Sequence, residues 1–322
     1  MADVSRPLAG DAPRGGRTRG QLILVGGFVV AVALVGLVVL LNTVLFAENI
    51  STRGADPGGE RVFDHAAFAQ DAGATVLRAE DRPKTEPDTW PEARSRVAAD
   101  VARVGGIATN RSLQHRSAYT NLSVNRTTRG AVLVQNGSGT LVSDSGTATW
   151  TLANTSGVRR FTTTLDATRM STDEFEVAIE GRNGTWRAAV SSTTSDTVRV
   201  SAAGTDCFST SSKATINWTE GRLGDCSFPF ALDGGSRLEQ PLTVRIVDGT
   251  DGYGTYSLVV ADENGTAVRR ANFADPGTGR SPRWYPAVYS LVLDARYEDE
   301  GTTYETTVRA APGEPPRTRP VS

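Results

Sequence analysis

Very few residues in this chain carry reactive side chains, and none of them sit at catalytic spacing. Of its 322 residues, two are histidine, His65 and His115, and two are cysteine, Cys207 and Cys226. A hydrolase needs a nucleophile, a base and a group that orients the base. No G-x-S-x-G, H-E-x-x-H or phosphate-binding glycine loop is present. His65 follows Asp64 in a stretch of helical spacing, and His115 lies between Gln114 and Arg116 in a polar connector. Both read as packing or surface histidines. Asp248-Gly249-Thr250-Asp251-Gly252 lacks the spacing and bidentate glutamate of a calcium loop and reads as a β-turn. Gly277-Thr278-Gly279-Arg280 reads as a loop, and Trp284-Tyr285 as strand packing rather than an exposed contact. No cofactor is expected, and the chain is not expected to be an enzyme. With a net charge of -2, nothing suggests a nucleic-acid partner.

The chemistry that remains is modification. Nine of the eleven asparagines begin N-x-S/T: Asn49, Asn110, Asn121, Asn125, Asn136, Asn154, Asn183, Asn217 and Asn264. Composition alone accounts for only a few, so these read as glycan acceptors on an exported surface. Cys207 and Cys226 lie 19 positions apart with no third cysteine. Outside the cell an even count means one disulfide, which for a loop of about 20 residues removes roughly 3 kcal/mol of unfolded-state entropy. Free buried thiols are the alternative, and a zinc site lacks further ligands at the right spacing.

Export requires a membrane element. From Gly20 to Ala47 there is no ionisable side chain. As a helix, Gln21 to Phe46 would be about 39 Å long against a hydrocarbon core of about 30 Å, enough to span once with some tilt. Arg6, Arg14, Arg17 and Arg19 precede the run, and only Arg53 and Arg61 follow closely, which orients the N-terminus to the cytoplasm. A cleaved signal peptide is the rival reading. Its apolar core would be about 7–15 residues, shorter than this one, and Phe46-Ala47-Glu48 makes a poor cleavage site.

Beyond the run, periodicity predicts a helix over 61–77, with Val62, Phe63, Ala66, Ala69 and Val76 at helical spacing and Pro83 and Pro87 as breakers. A second helix starts at a capping box, Thr89 with Glu92, holds Val97, Val101 and Val104 on one side, and is expected to stop at Gly105-Gly106. Both helices should pack on the β domain rather than on each other. From Ala131 onward short alternating runs predict strands over 131–135, 148–153, 160–165, 174–179, 186–190, 198–202, 214–218, 242–247 and 256–260. Asn183-Gly184 marks one hairpin. The alternation from Tyr289 to Tyr297, a turn at Asp299–Gly301, and Tyr304, Thr306 and Val308 mark another.

The fold class expected is an N-terminal single transmembrane helix plus helical stalk, followed by an all-β (β-sandwich-like) ectodomain. The segments are a cytoplasmic tail (1–20), a span (21–46), a stalk and connector (47–128), the β domain (129–310) and a disordered tail (311–322). Within the span, Gly27-Phe28-Val29-Val30-Ala31 is a small-xxx-small pattern, a helix-association signal.

The entry Arg17-Thr18-Arg19-Gly20-Gln21, running into a long apolar helix and then an exported β-rich region, resembles archaeal type IV pilin-like proteins. It is similar in particular to the pilin-like, membrane-anchored surface proteins of halophilic archaea. The resemblance covers about the first 55 residues. It implies prepilin-peptidase processing next to Gly20 and Gln21, N-glycosylation, and a helix-plus-β-domain subunit that meets other pilin-like subunits. Val25 stands where bacterial-type pilins carry a glutamate five residues into the mature helix. The expectation is therefore a single-pass surface protein with the bilayer as partner through residues 21–46. The other reading is a membrane-tethered module that binds surface polysaccharide or S-layer components.

Overall fold

The computed structural model describes residues 57–82, 85–231, 238–274, 278–301 and 303–314. Among the described residues two helices come first, α1 (Pro57–Glu80) and α2 (Trp90–Arg116). The capping box works as its residue types require. Thr89 Oγ1 accepts from the Glu92 N–H at 3.4 Å, and the Glu92 carboxylate accepts from the Asp88 N–H at 3.0 Å. The expected stop at Gly105-Gly106 is overturned, because α2 continues to Arg116 and ends at Ser117, which takes left-handed backbone at φ 49°. Gly105 serves packing instead. A Cβ there would stand 3.2 Å from the Leu122 carbonyl oxygen, so its absence lets α2 lie close on the first strand.

Fourteen strands follow among the described residues, which are mostly β. They are β1 (Tyr119–Thr140), β2 (Trp150–Thr155), β3 (Val158–Asp166), β4 (Phe175–Gly181), β5 (Gly184–Thr194), β6 (Thr197–Ala202) and β7 (Thr205–Ser209). Then come β8 (Lys213–Asn217), β9 (Arg222–Leu223), β10 (Cys226–Ser227), β11 (Leu242–Val247), β12 (Tyr253–Ala261), β13 (Arg283–Glu298) and β14 (Thr303–Ala310). One sheet has the order β10-β9-β8-β3-β12-β1-β13-β14, the other β2-β11-β4-β5-β6-β7, and every strand pairing is antiparallel. All nine expected strands coincide with observed ones; β7, β9 and β10 are unexpected, and β9 and β10 have only 2 residues each. β1 begins at Tyr119, so the last part of the expected connector (47–128) belongs to the β domain.

Three clusters of buried side chains hold these layers together. Between the sheets lie Leu133, Phe161, Leu165, Phe175, Ile179, Val190, Ile216 and Trp218. On the helix side, Ala69, Ala72, Val76 and Leu77 of α1 and Val97 and Val101 of α2 meet Leu122, Leu291, Leu293, Ala295 and Ala310. Both helices therefore pack on the sheet, and the arrangement is sandwich-like with a helical hairpin on one outer face. Ala131 and Leu133 face the sandwich core while Val132 and Val134 join Val259 and Tyr285 in a third cluster. This is why the run Ala131–Val134 is apolar throughout instead of alternating.

A buried ion pair joins the end of α1 to the sheet. Asp81, just past α1, bonds the Arg159 guanidinium of β3 and lies 3.4 Å from Arg160. Tyr285 donates to the Asp81 carbonyl at 2.8 Å, and Arg283 forks onto Glu86 at 2.6–3.0 Å in the same linker. Arg159 is fully buried, at 0% exposure.

Candidate functional site

The two histidines, distant in sequence, share one groove where the start of α1 meets the end of α2. The groove has a volume of about 470 Å³ and is lined by Asp64, His65, Phe68, Arg111, His115 and Thr120 among others. His65 is 7% exposed and packs between Phe68 and Tyr297, with ring centroids 6.2 and 5.8 Å away. Its Nε2 is buried without a hydrogen-bond partner. Burial pushes its pKa below the ordinary histidine range, and a hydrogen bond to the Arg296 backbone opposes the shift only in part. That chemistry suits a neutral packing group. Among the described residues no group of three or more His, Cys, Asp or Glu could hold a metal ion.

A pH dependence follows from His65. Its proton binds more tightly in the unfolded chain, so stability is full above the unfolded histidine pKa, about 6.5, and falls as pH drops below it. His65→Phe should flatten the dependence of Tm on pH between pH 7.5 and 5. An unchanged slope in the variant would assign the dependence elsewhere.

The sequons are placed by very different elements yet share one property. Asn110 is on α2, Asn121, Asn125 and Asn136 on β1, Asn154 on β2 and Asn217 on β8. Asn183 sits in the β4–β5 turn and Asn264 after β12. Of these eight, seven are exposed and Asn217 is half-buried. The local geometry is ordered. Asn125 donates to both Asp294 carboxylate oxygens at 2.9–3.0 Å, and Asn183 accepts from the Glu239 N–H at 2.7 Å. At Asn217 the hydroxyl of its own sequon, Thr219, donates to the amide oxygen at 3.0 Å. Asn272, which begins no sequon, is half-buried like Asn217 and donates to the Thr151 carbonyl.

Cys207 and Cys226 are bonded, with Cα atoms 5.6 Å apart. Cys207 is on β7 and Cys226 on β10, the outermost strands of the two sheets at one seam, so the bond ties sheet to sheet. The even cysteine count identified the pair; its role depended on two strands that the sequence pattern did not show. Asp248–Asp251 forms the expected turn, with the Asp251 N–H donating to the Asp248 carbonyl at 3.0 Å. Tyr285 is buried, and Trp284 packs on the sandwich core beneath the Arg270 guanidinium, 4.8 Å from its ring centroid. Neither forms an exposed contact. Sequence reasoning missed Asp81 and Arg159 altogether.

Gly20, Gln21, the apolar run 21–46 and Asn49 lie outside the described residues. Among the described residues, no helix is long and apolar enough to cross a membrane. Residues 16–169 match a family described as a family of unknown function (DUF7261). No curated protein and no solved structure matches the chain.

Proposed function

We propose that this protein is a single-pass, membrane-anchored, N-glycosylated cell-surface protein, a pilin-like structural or accessory component whose β domain lies outside the cell. The observation that carries the reading is the exposure of the sequons: none of the eight described acceptor asparagines is fully buried. Asparagine favours exposed positions in any fold, so this exposure is the condition that attachment needs, and nine sequons among eleven asparagines are more than composition supplies. Attachment of a glycan needs an accessible amide and room beyond it. The uncharged run 20–47 supplies the anchor, and the arginines before it supply the orientation.

The test is intact mass and N-terminal analysis of the protein isolated from its native membrane. The expected mass exceeds the chain's 34.1 kDa by the attached glycans, and the two cysteines are oxidised. A full-length, unmodified and reduced chain would overturn the reading. Loss of residues 1–20 would assign the pilin-type processing.

A second reading has one observation in its favour. An open cleft of about 920 Å³ is lined by Trp90, Arg126, Arg129, Gln240 and Arg309, with Glu263 an acidic residue on its wall. An aromatic ring beside several guanidinium groups suits an anionic surface polysaccharide, which would make the protein a tethered binding module. Retention of such a polymer by the purified protein, weakened by Arg126→Ala, distinguishes it.

A further inference from the structure

β14 is the outermost strand of the eight-stranded sheet and pairs only with β13. No strand among the described residues takes up its other edge, which runs for 8 residues. An open edge of that length invites pairing, and proteins that avoid it place like charges, proline or a bulge there. β14 reads Thr303-Tyr304-Glu305-Thr306-Thr307-Val308-Arg309-Ala310. It has no proline, its residues favour strands, and its two charges have opposite sign. None of the nine sequons lies on β13 or β14; the nearest acceptors, Asn121 and Asn125, lie on β1, two strands in from the open edge.

The spacing of those charges is self-complementary. Turn a second β14 antiparallel about a twofold axis through Thr307, and Glu305 of each copy stands opposite Arg309 of the other. Thr306 then stands opposite Val308, and Thr307 opposite itself. Glu305, Thr307 and Arg309 are all exposed and share a face with Asp294 and Arg296 of β13. On that face Asn125 and Thr307 both donate to Asp294, and Arg296 lies 3.5 Å from Glu305. Arg309 also pairs with Glu314 of its own chain, so the polar ladder would continue across the new seam without burying an unpaired charge. Charges placed to block pairing work by repulsion, and these attract in this register.

We propose that β14 is a docking edge for a second copy of this chain. The two strands pair antiparallel about Thr307 and join two eight-stranded sheets into one. The contact is isologous and closes at a dimer. It uses the β domain alone and does not depend on whether residues 20–47 span a membrane.

The test uses the full-length protein under mild oxidation. Thr307→Cys should cross-link between copies, because directly opposed residues have Cα atoms about 4.5–5.5 Å apart, within disulfide reach. Thr303→Cys, on the same exposed strand, should not cross-link, since in this register its two copies stand about 26 Å apart. Independently of any added cysteine, Glu305→Arg should lower the dimer fraction seen by native mass spectrometry about tenfold, and Glu305→Arg with Arg309→Glu should restore it. Equal linking at both positions, no linking at Thr307→Cys, or no rescue by the charge swap would each overturn the proposal.

Discussion

Asp81→Ala should lower the unfolding free energy by about 3–5 kcal/mol, because it leaves a fully buried guanidinium without its counter-ion. The Arg159 side chain has no exposed surface, and its Nε and Nη1 atoms find no hydrogen-bond partner among the described residues. Asp81 is the group that compensates for its burial. Burial lifts the Asp81 carboxyl above the ordinary carboxylate range, while the Arg159 and Arg160 guanidinium groups pull it back. Removing either member therefore costs far more than the pair contributes. Replacing both, Asp81→Leu with Arg159→Met, should recover most of the loss, since well-packed apolar groups of similar volume need no compensation. Urea unfolding of the single and double variants measures this as a shift in midpoint at constant slope. A single variant within about 1 kcal/mol of the parent, or a double variant no better than the single, would show that the pair is not what holds α1 to the sheet.

The same pair marks where the sequence stops being legible. Asp81 and Arg159 are 78 positions apart, and neither lies in a pattern that announces burial. Asp81 follows α1 in a charged stretch, and Arg159 stands beside a second arginine at the start of a Thr-rich strand. Only strand order brings them together. Features set by neighbours in sequence were readable: the Thr89 cap, the turn at Asp248–Asp251, the Asn183 hairpin and the alternation of β13. Gly105 misled because a glycine in a helical stretch has two physical uses, as a stop and as a close-approach site, and only the position of Leu122 decides between them. The first half of β1 misled for a related reason. Its apolar residues Leu122 and Val124 are sparse because the opposite face, with Asn121 and Ser123, is left polar. The sequon surface was legible in identity but not in exposure, which is a property of the folded sheet. The histidine groove was not legible, since it needs the ends of two antiparallel helices side by side.

Substituting both cysteines, Cys207→Ala with Cys226→Ala, should cost about 3 kcal/mol through the regained freedom of a loop of about 20 residues. For a domain of this size that corresponds to a fall in Tm of about 6–12 °C. The loss should be local in its consequences. The bond ties β7 at the edge of one sheet to β10 at the edge of the other, and β9 and β10 have only 2 residues each. Strands that short hold position only through what clamps them. Beside the bond, Trp218 packs against Phe228 at 5.9 Å and Trp186 against Phe230 at 5.3 Å, so the aromatic cluster would lose its outer support. Hydrogen exchange should therefore quicken first in β7 to β10, while α1, α2 and β13 keep their protection because their core lies on the opposite face of the sheet. Treating the unaltered protein with reductant should reproduce both effects. An unchanged Tm after verified reduction would show that the seam is held by the aromatic cluster alone. If the loss appears, the domain reaches its full stability only where the thiols are oxidised, which is the condition outside the cytoplasm. The disulfide then becomes a physical argument, separate from the sequons and the apolar run, for the proposed folding of this β domain outside the cytoplasm.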